Sequence, residues 1–492
     1  MKAQIDWKCE MHDGSFRIVA WVLVILILVC MRARAAAPAS DGTAAASAAT
    51  SPSAAPSAAT AEPAGSPIPN GPNVPTEKDF RKIYTGWLDR TIADRFPAKK
   101  DPAGAAFVRA AIDFLGGNSS DEPHADLVKQ EQAFALAKVK DPGLLFLMGS
   151  IEPQPARRQM AYEKAVELFP KSKYPKYIWF VAAAEGEGVN RDKKPNADPV
   201  ADQTSLEYLK EGLDDDSFTP EEMPALRWMA RRESLYALYL RNEDAVTNIL
   251  NSSKKIAPWV REYIEGVHCV DEAWQARTGK AASKVPAEGW QGWFKNLASA
   301  RQFYVKSWND NPRDPAAAAA MVEVCMGEQE QIDTMRTWFD RCVAADMDYL
   351  PAYQHLLWGM RPRWGGNYDE MNAFARECAA TGRYDTIVPN ERVVTALDIS
   401  DDSGDGGAQF KDPKTADEVL TVLNNYFAQP NPPIRVDLSH TVAAVVADKA
   451  GRPQEVKKQL AAINYKPVMD SRLKKMADLP KLALDAQGLG AQ

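Results

Sequence analysis

Histidine is scarce in this chain of 492 residues: five, at positions 12, 124, 268, 355 and 440. None forms the His-x-x-x-His pattern, or the pairing with neighbouring carboxylates, that a zinc site requires. Cysteine is also scarce, with six in all, and Cys9 and Cys30 fall in the N-terminal segment. The other four, Cys269, Cys325, Cys342 and Cys378, sit on apolar helical faces rather than at the loop-rich spacing of a disulfide framework. Buried thiols are expected there, with a Cys325–Cys342 bridge between paired helices as the alternative. There is no Cys-x-x-Cys, no Gly-x-Ser-x-Gly elbow for a nucleophilic serine, and no glycine-rich phosphate loop. Long basic runs are missing too. Net charge is −7, and the first 35 residues carry +2, leaving −9 on the remainder. Binding to nucleic acid, which needs Lys and Arg to neutralise phosphates, is therefore not expected. Nor is there sustained apolar–polar alternation of the kind that would build a sheet.

What the chain does have begins with an apolar run, Ile18 to Met31, flanked by Arg17 and Arg32. As a helix it would be roughly 21 Å long, short of the roughly 30 Å hydrocarbon core of a bilayer. Followed by Ala33-Arg34-Ala35, it fits an export signal, so residues 1–35 are expected to be a signal peptide or a single membrane anchor at 18–31. An exported, periplasmic or envelope protein follows from that reading. Residues 36–75 are almost entirely Ala, Pro, Ser, Thr and Gly. Such a stretch buries too little apolar surface to offset its conformational entropy, and a disordered tether is expected.

The body reads as helix throughout. Trp293, Leu297, Ala300, Tyr304 and Trp308 recur in steps of three and four, which puts them on one helical face. Asp314-Pro315 is a helix start with Asp as N-cap. The alanine run behind it, ending in Met321, Val322, Cys325 and Met326, predicts a narrow face for close helix approach, broken at Gly327. Ile332, Met335, Trp338, Phe339 and Cys342 form the partner stripe. A further hairpin follows, with Tyr349, Tyr353, Leu356, Leu357 and Met360 on one arm and Tyr368, Met371, Phe374, Ala375 and Cys378 on the other. Each pair carries a stripe it cannot bury alone, so neighbouring pairs must stack. Three helical regions are expected, at 76–185, 203–400 and 413–480. Gly186 to Gln203 would be a joint between superhelical halves, and the tail beyond Pro480 would fray.

Two phrases carry a resemblance. Tyr162-x-x-Ala165-x-x-x-x-Pro170 and Ala300-x-x-x-Tyr304-x-x-Ser307-x-x-x-x-Pro312 resemble the second half of a tetratricopeptide repeat. The hairpin Arg361-Pro-Arg-Trp-Gly-Gly-Asn-Tyr-Asp-Glu-Met-Asn-Ala-Phe-Ala375 is similar to one in bacterial tetratricopeptide-like proteins classed as a domain of unknown function. The first half of the repeat departs from that pattern, offering Ala318 and Cys325 where the family has Trp and Gly-Tyr. The resemblance implies an all-α helical-hairpin repeat solenoid and, typically, protein binding. It implies no catalytic residue.

Few residues suggest chemistry. Asp401, Ser403, Asp405, Gly406 and Asp412 have the spacing of a calcium-binding loop, but Asp412 stands where a bidentate Glu belongs. A solvated acidic linker is the main reading of 401–412 and a calcium-responsive adaptor the minor one. Arg361, Arg363 and Trp364 are the candidate partner-binding residues, because Arg and Trp dominate interface hot spots. The leading expectation is a non-enzymatic scaffold for a protein or peptide partner, without cofactor or metal. An envelope enzyme or enzyme accessory subunit, with a site built from non-contiguous residues, is the alternative.

Overall fold

The computed structural model describes residues 67–489, apart from 98, 100, 117–124, 192–198, 224–237, 239–240 and 281. The expected export segment and most of the tether, up to residue 66, lie outside the described residues. Among the described residues every regular element is helical and none is a strand. No helix among them is long and apolar enough to cross a membrane. Backbone contacts group the chain into two units, residues 75–265 with 306–314, and the residues up to Val74 with 266–305 and 315–492.

In the first unit the helices are α1 (Glu77–Thr91), α2 (Pro102–Leu115), α3 (Ala125–Ala133), α4 (Pro142–Ile151), α5 (Pro155–Leu168), α6 (Lys176–Arg191), α7 (Pro199–Asp214) and α8 (Glu243–Ser252). Starts follow the cap chemistry of the sequence. Asp101 accepts the Gly104 N–H at 2.9 Å, and Asp141 accepts the Leu144 N–H at 2.9 Å, each followed by proline at the first helical position. Each cap contributes about 1 kcal/mol. Successive helices α4 to α7 pack each on the next. One core runs through them, with Trp87, Phe107, Phe146, Tyr162 and Phe169 almost wholly enclosed. Residues 186–191, expected in a joint, continue α6 instead. Glycine weakens a helix only modestly, and burial of Ile178 to Ala184 on the same helix outweighs that cost.

Two long helices, α9 (Pro258–Arg277) and α10 (Ala287–Asp310), precede the rest. In the second unit come α11 (Ala316–Gly327), α12 (Ile332–Ala345), α13 (Leu350–Gly359), α14 (Tyr368–Ala380), α15 (Glu391–Ser403), α16 (Pro413–Phe427), α17 (Val436–Lys449), α18 (Pro453–Ala462), α19 (Ser471–Met476) and α20 (Leu479–Ala486). Neighbours in sequence are neighbours in space: α11 with α12 and α13, α14 with α15, α16 with α17, α17 with α18. The alanine run of α11 is not a narrow face. Every residue of that helix except Glu323 is buried, so it is enclosed on nearly all sides, and its N-cap is Pro315 rather than Asp314. Trp293 closes its far end by donating its indole N–H to the Gly327 carbonyl at 2.8 Å. The tail stays helical past Pro480 as far as Ala486, because the Asp478 carboxylate accepts the Lys481 N–H at 3.1 Å and Leu479 and Ala483 are buried.

Candidate functional site

The turn between α13 and α14 holds the three residues singled out from the sequence. Arg361 is committed within the protein: its guanidinium reaches Asp402 at 2.8 Å and Asp398 at 2.7 Å, and lies over the Trp358 ring. Arg363 stays exposed, its guanidinium 4.1 Å from the centre of the same ring. Trp364 is half-buried, and its indole N–H has no hydrogen-bond partner. Gly365 takes the left-handed conformation (φ +99°). Gly366 is required for another reason, since a Cβ there would stand 2.2 Å from the Met360 carbonyl oxygen.

The 401–412 stretch is not an open ligand loop. Asp401 and Ser403 belong to the last turn of α15. Asp405 spends one oxygen on the Ser400 hydroxyl (2.8 Å) and the Gly407 N–H (2.7 Å), while Asp412 caps α16 through Lys414 and Thr415. The spacing that suggested calcium is thus turn-and-cap chemistry, and among the described residues no three His, Cys, Asp or Glu converge to hold a metal ion. Cys269, Cys325, Cys342 and Cys378 are all buried thiols, none of them in a disulfide. Burial pushes the Cys325 and Cys378 thiols up, which makes them poor nucleophiles.

Two carboxyls are strongly perturbed. Burial pushes Glu131 up to about 7, with Arg157 opposing and Glu152 adding to the rise. Burial, reinforced by the Asp398 charge, pushes Glu391 up to about 8. Neither lines the two clefts found in the second unit. One, of about 210 Å³, lies beside Arg472 and Lys475. The other, of about 670 Å³, is lined by Arg376, Arg392, Glu418 and Tyr384 among others. In that larger cleft Glu418 sits against the exposed Arg376 (3.0 Å) and the buried Arg392 (2.8 Å), so the one buried cation there already has its counter-ion.

The remaining site was not foreseen. In the second unit, residues 67–74 (Pro-Ile-Pro-Asn-Gly-Pro-Asn-Val) run outside any helix against α14 and the loop after it, closing a turn in which the Val74 N–H donates to the Gly71 carbonyl at 3.2 Å. The Glu377 carboxylate accepts the Ile68 N–H at 3.1 Å, and Arg383 Nη1 donates to the Gly71 carbonyl at 3.0 Å. Ile68 itself is 4% exposed. Both gripping groups are set in place by other partners. Arg336 donates to both oxygens of Glu377 at 2.6 and 2.8 Å, and Asp385 accepts from Arg383 at 2.8 Å twice. Prolines at 67, 69, 72 and 75 bias the chain before each of them to extended geometry, so little entropy is lost on docking. Burying the isoleucine contributes about 2 kcal/mol. The last residues of the expected tether are therefore anchored. The signal was present in the sequence: Ile68 is the single large aliphatic residue between Ala36 and Asn73.

Fold and site together define an all-α protein of packed helical hairpins that grips an extended, proline-rich segment of its own chain. No family model, no curated protein and no solved structure matches it.

Proposed function

We propose that the chain is a non-enzymatic helical-repeat scaffold, of the tetratricopeptide-like solenoid kind, that binds extended segments of partner proteins. One observation carries this reading. The second unit already holds an extended peptide stretch through main-chain N–H and C=O groups and one buried aliphatic side chain. Helical units offer no free sheet edge, so an extended ligand must be held by side chains that reach its backbone, as Glu377 and Arg383 do here. Exposed Arg363 and half-buried Trp364, with Arg361 fixing the turn beneath them, are a second contact for the partner. The export signal and the tether read from the sequence place the scaffold at the cell envelope, tethered or released.

A displayed library of random twelve-residue peptides, panned against the full chain in detergent, tests the reading. Saturable binders that cross-link to the second unit are expected, with affinity falling about tenfold on Arg363→Ala or Trp364→Ala for those that use the turn. A library yielding no saturable binder would sink it.

A further inference from the structure

The grip on residues 67–74 has the form of a ligand site rather than of a structural clasp. Its two hydrogen bonds go to main-chain atoms, the Ile68 N–H and the Gly71 C=O, the latter also accepting the Val74 N–H at 3.2 Å where the strap turns after its extended start. The gripping charges do not depend on the strap for their counter-ions, since Arg336 holds Glu377 and Asp385 holds Arg383. Of the strap's side chains only Ile68 is buried, while Pro67, Asn70, Pro72 and Asn73 face solvent. Sequence selectivity thus rests on one aliphatic side chain held between two prolines. Such a site recognises a class of segment, not one segment.

Resting on the peptide-binding reading above, we infer that the groove formed by Arg336, Glu377 and Arg383 binds, in trans, an uncharged extended segment of a partner protein. That segment carries a branched aliphatic residue flanked by prolines, and residues 67–74 are its built-in competitor. A strap joined to the same chain acts at an effective concentration on the order of millimolar. The groove is therefore mostly filled, and a partner gains access in proportion to the fraction of chains whose strap is out. Such an arrangement admits partners that are themselves abundant locally or presented several at a time.

The probe is a fluorescent peptide of residues 64–75 (AGSPIPNGPNVP), titrated by anisotropy against the full chain in detergent. Ile68→Asp removes the anchor of the cis strap while leaving every groove residue intact. It is expected to bind the peptide at least about tenfold more tightly than the wild-type chain. A peptide carrying Asp in place of its isoleucine should not bind, and Glu377→Ala or Arg383→Ala in the Ile68→Asp background should abolish binding. Hydrogen exchange on the unaltered chain is the second measurement, since it does not depend on a variant folding. The Ile68 amide, protected by Glu377, should exchange faster when excess peptide is added. Equal peptide affinity for wild type and a folded Ile68→Asp chain, with no change at the Ile68 amide, would overturn the inference. So would a strap-exchanged dimer as the only bound form, which would show that the groove closes on this chain's own segment alone. Should library peptides bind elsewhere while the 64–75 peptide fails, the scaffold reading survives and this inference does not. Failure of both removes the scaffold reading as well.

Discussion

At the scale of single residues, the fold depends on a few positions where only one chemical choice fits. Gly366 meets the Met360 carbonyl oxygen at 2.2 Å from where a Cβ would be. That oxygen is backbone and cannot step aside, so Gly366→Ala should cost about 2–3 kcal/mol by thermal or urea unfolding. Glu391 is a second such position. Burial lifts its carboxyl from the ordinary 4.5 to about 8. Between those values the folded chain keeps a proton that the unfolded chain has lost. The associated stability is fully present below about pH 4.5 and is lost as pH rises through about 8, by roughly 4–5 kcal/mol in total. Glu131, lifted to about 7, acts in the same direction in the first unit. Melting temperature should therefore decline from pH 5 to pH 8.5, and Glu391→Gln should flatten that decline without abolishing it. An unaltered slope in the variant would show that Glu391 is ionised in the folded protein.

At the scale of elements, periodicity decided most boundaries and local side-chain chemistry decided the rest. The helical region read at 413–480 opens with three helices in succession, at 413–427, 436–449 and 453–462. The stretch before them shows why spacing alone misleads. Asp405 and Asp412 have the positions of ligands but are consumed by the amides of their own turn. Asp405→Ala should therefore lower stability by about 1–2 kcal/mol, and by the same amount with calcium or with a chelator. A calcium-dependent melting temperature in the unaltered chain would contradict this account. The same local logic explains Arg361. A sequence reading values arginine for what it could touch outside, whereas Asp398 and Asp402, some forty residues on, hold it inside.

At the scale of the whole molecule, each unit is assembled from helices that pack on their neighbours in sequence. Stability in such an arrangement is carried by nearest-neighbour interfaces, and damage should stay local. Leu460, fully buried on α18, tests this. Leu460→Ala should cost about 3 kcal/mol and speed amide exchange in α17 and α18, leaving α11 and α12 nearly unchanged. Uniform acceleration across all these helices would mean that the second unit unfolds as one block. The strap works at this scale as well. Ile68 and Glu377 are 309 residues apart in the chain, and only folding brings them to 3.1 Å.

The sequence by itself determined the secondary structure class, most helix ends and the identity of the buried faces. Those features depend on contacts within a few residues: steps of three and four, prolines at first turns, aspartates at caps. Tertiary structure alone decided which polar groups were already spoken for and which were left to grip a ligand. A carboxylate or guanidinium takes its role from the partner it meets: Glu377 and Arg361 find their counter-ions some forty residues away, and Arg383, paired locally with Asp385, reaches a Gly71 carbonyl that no local pattern could place beside it.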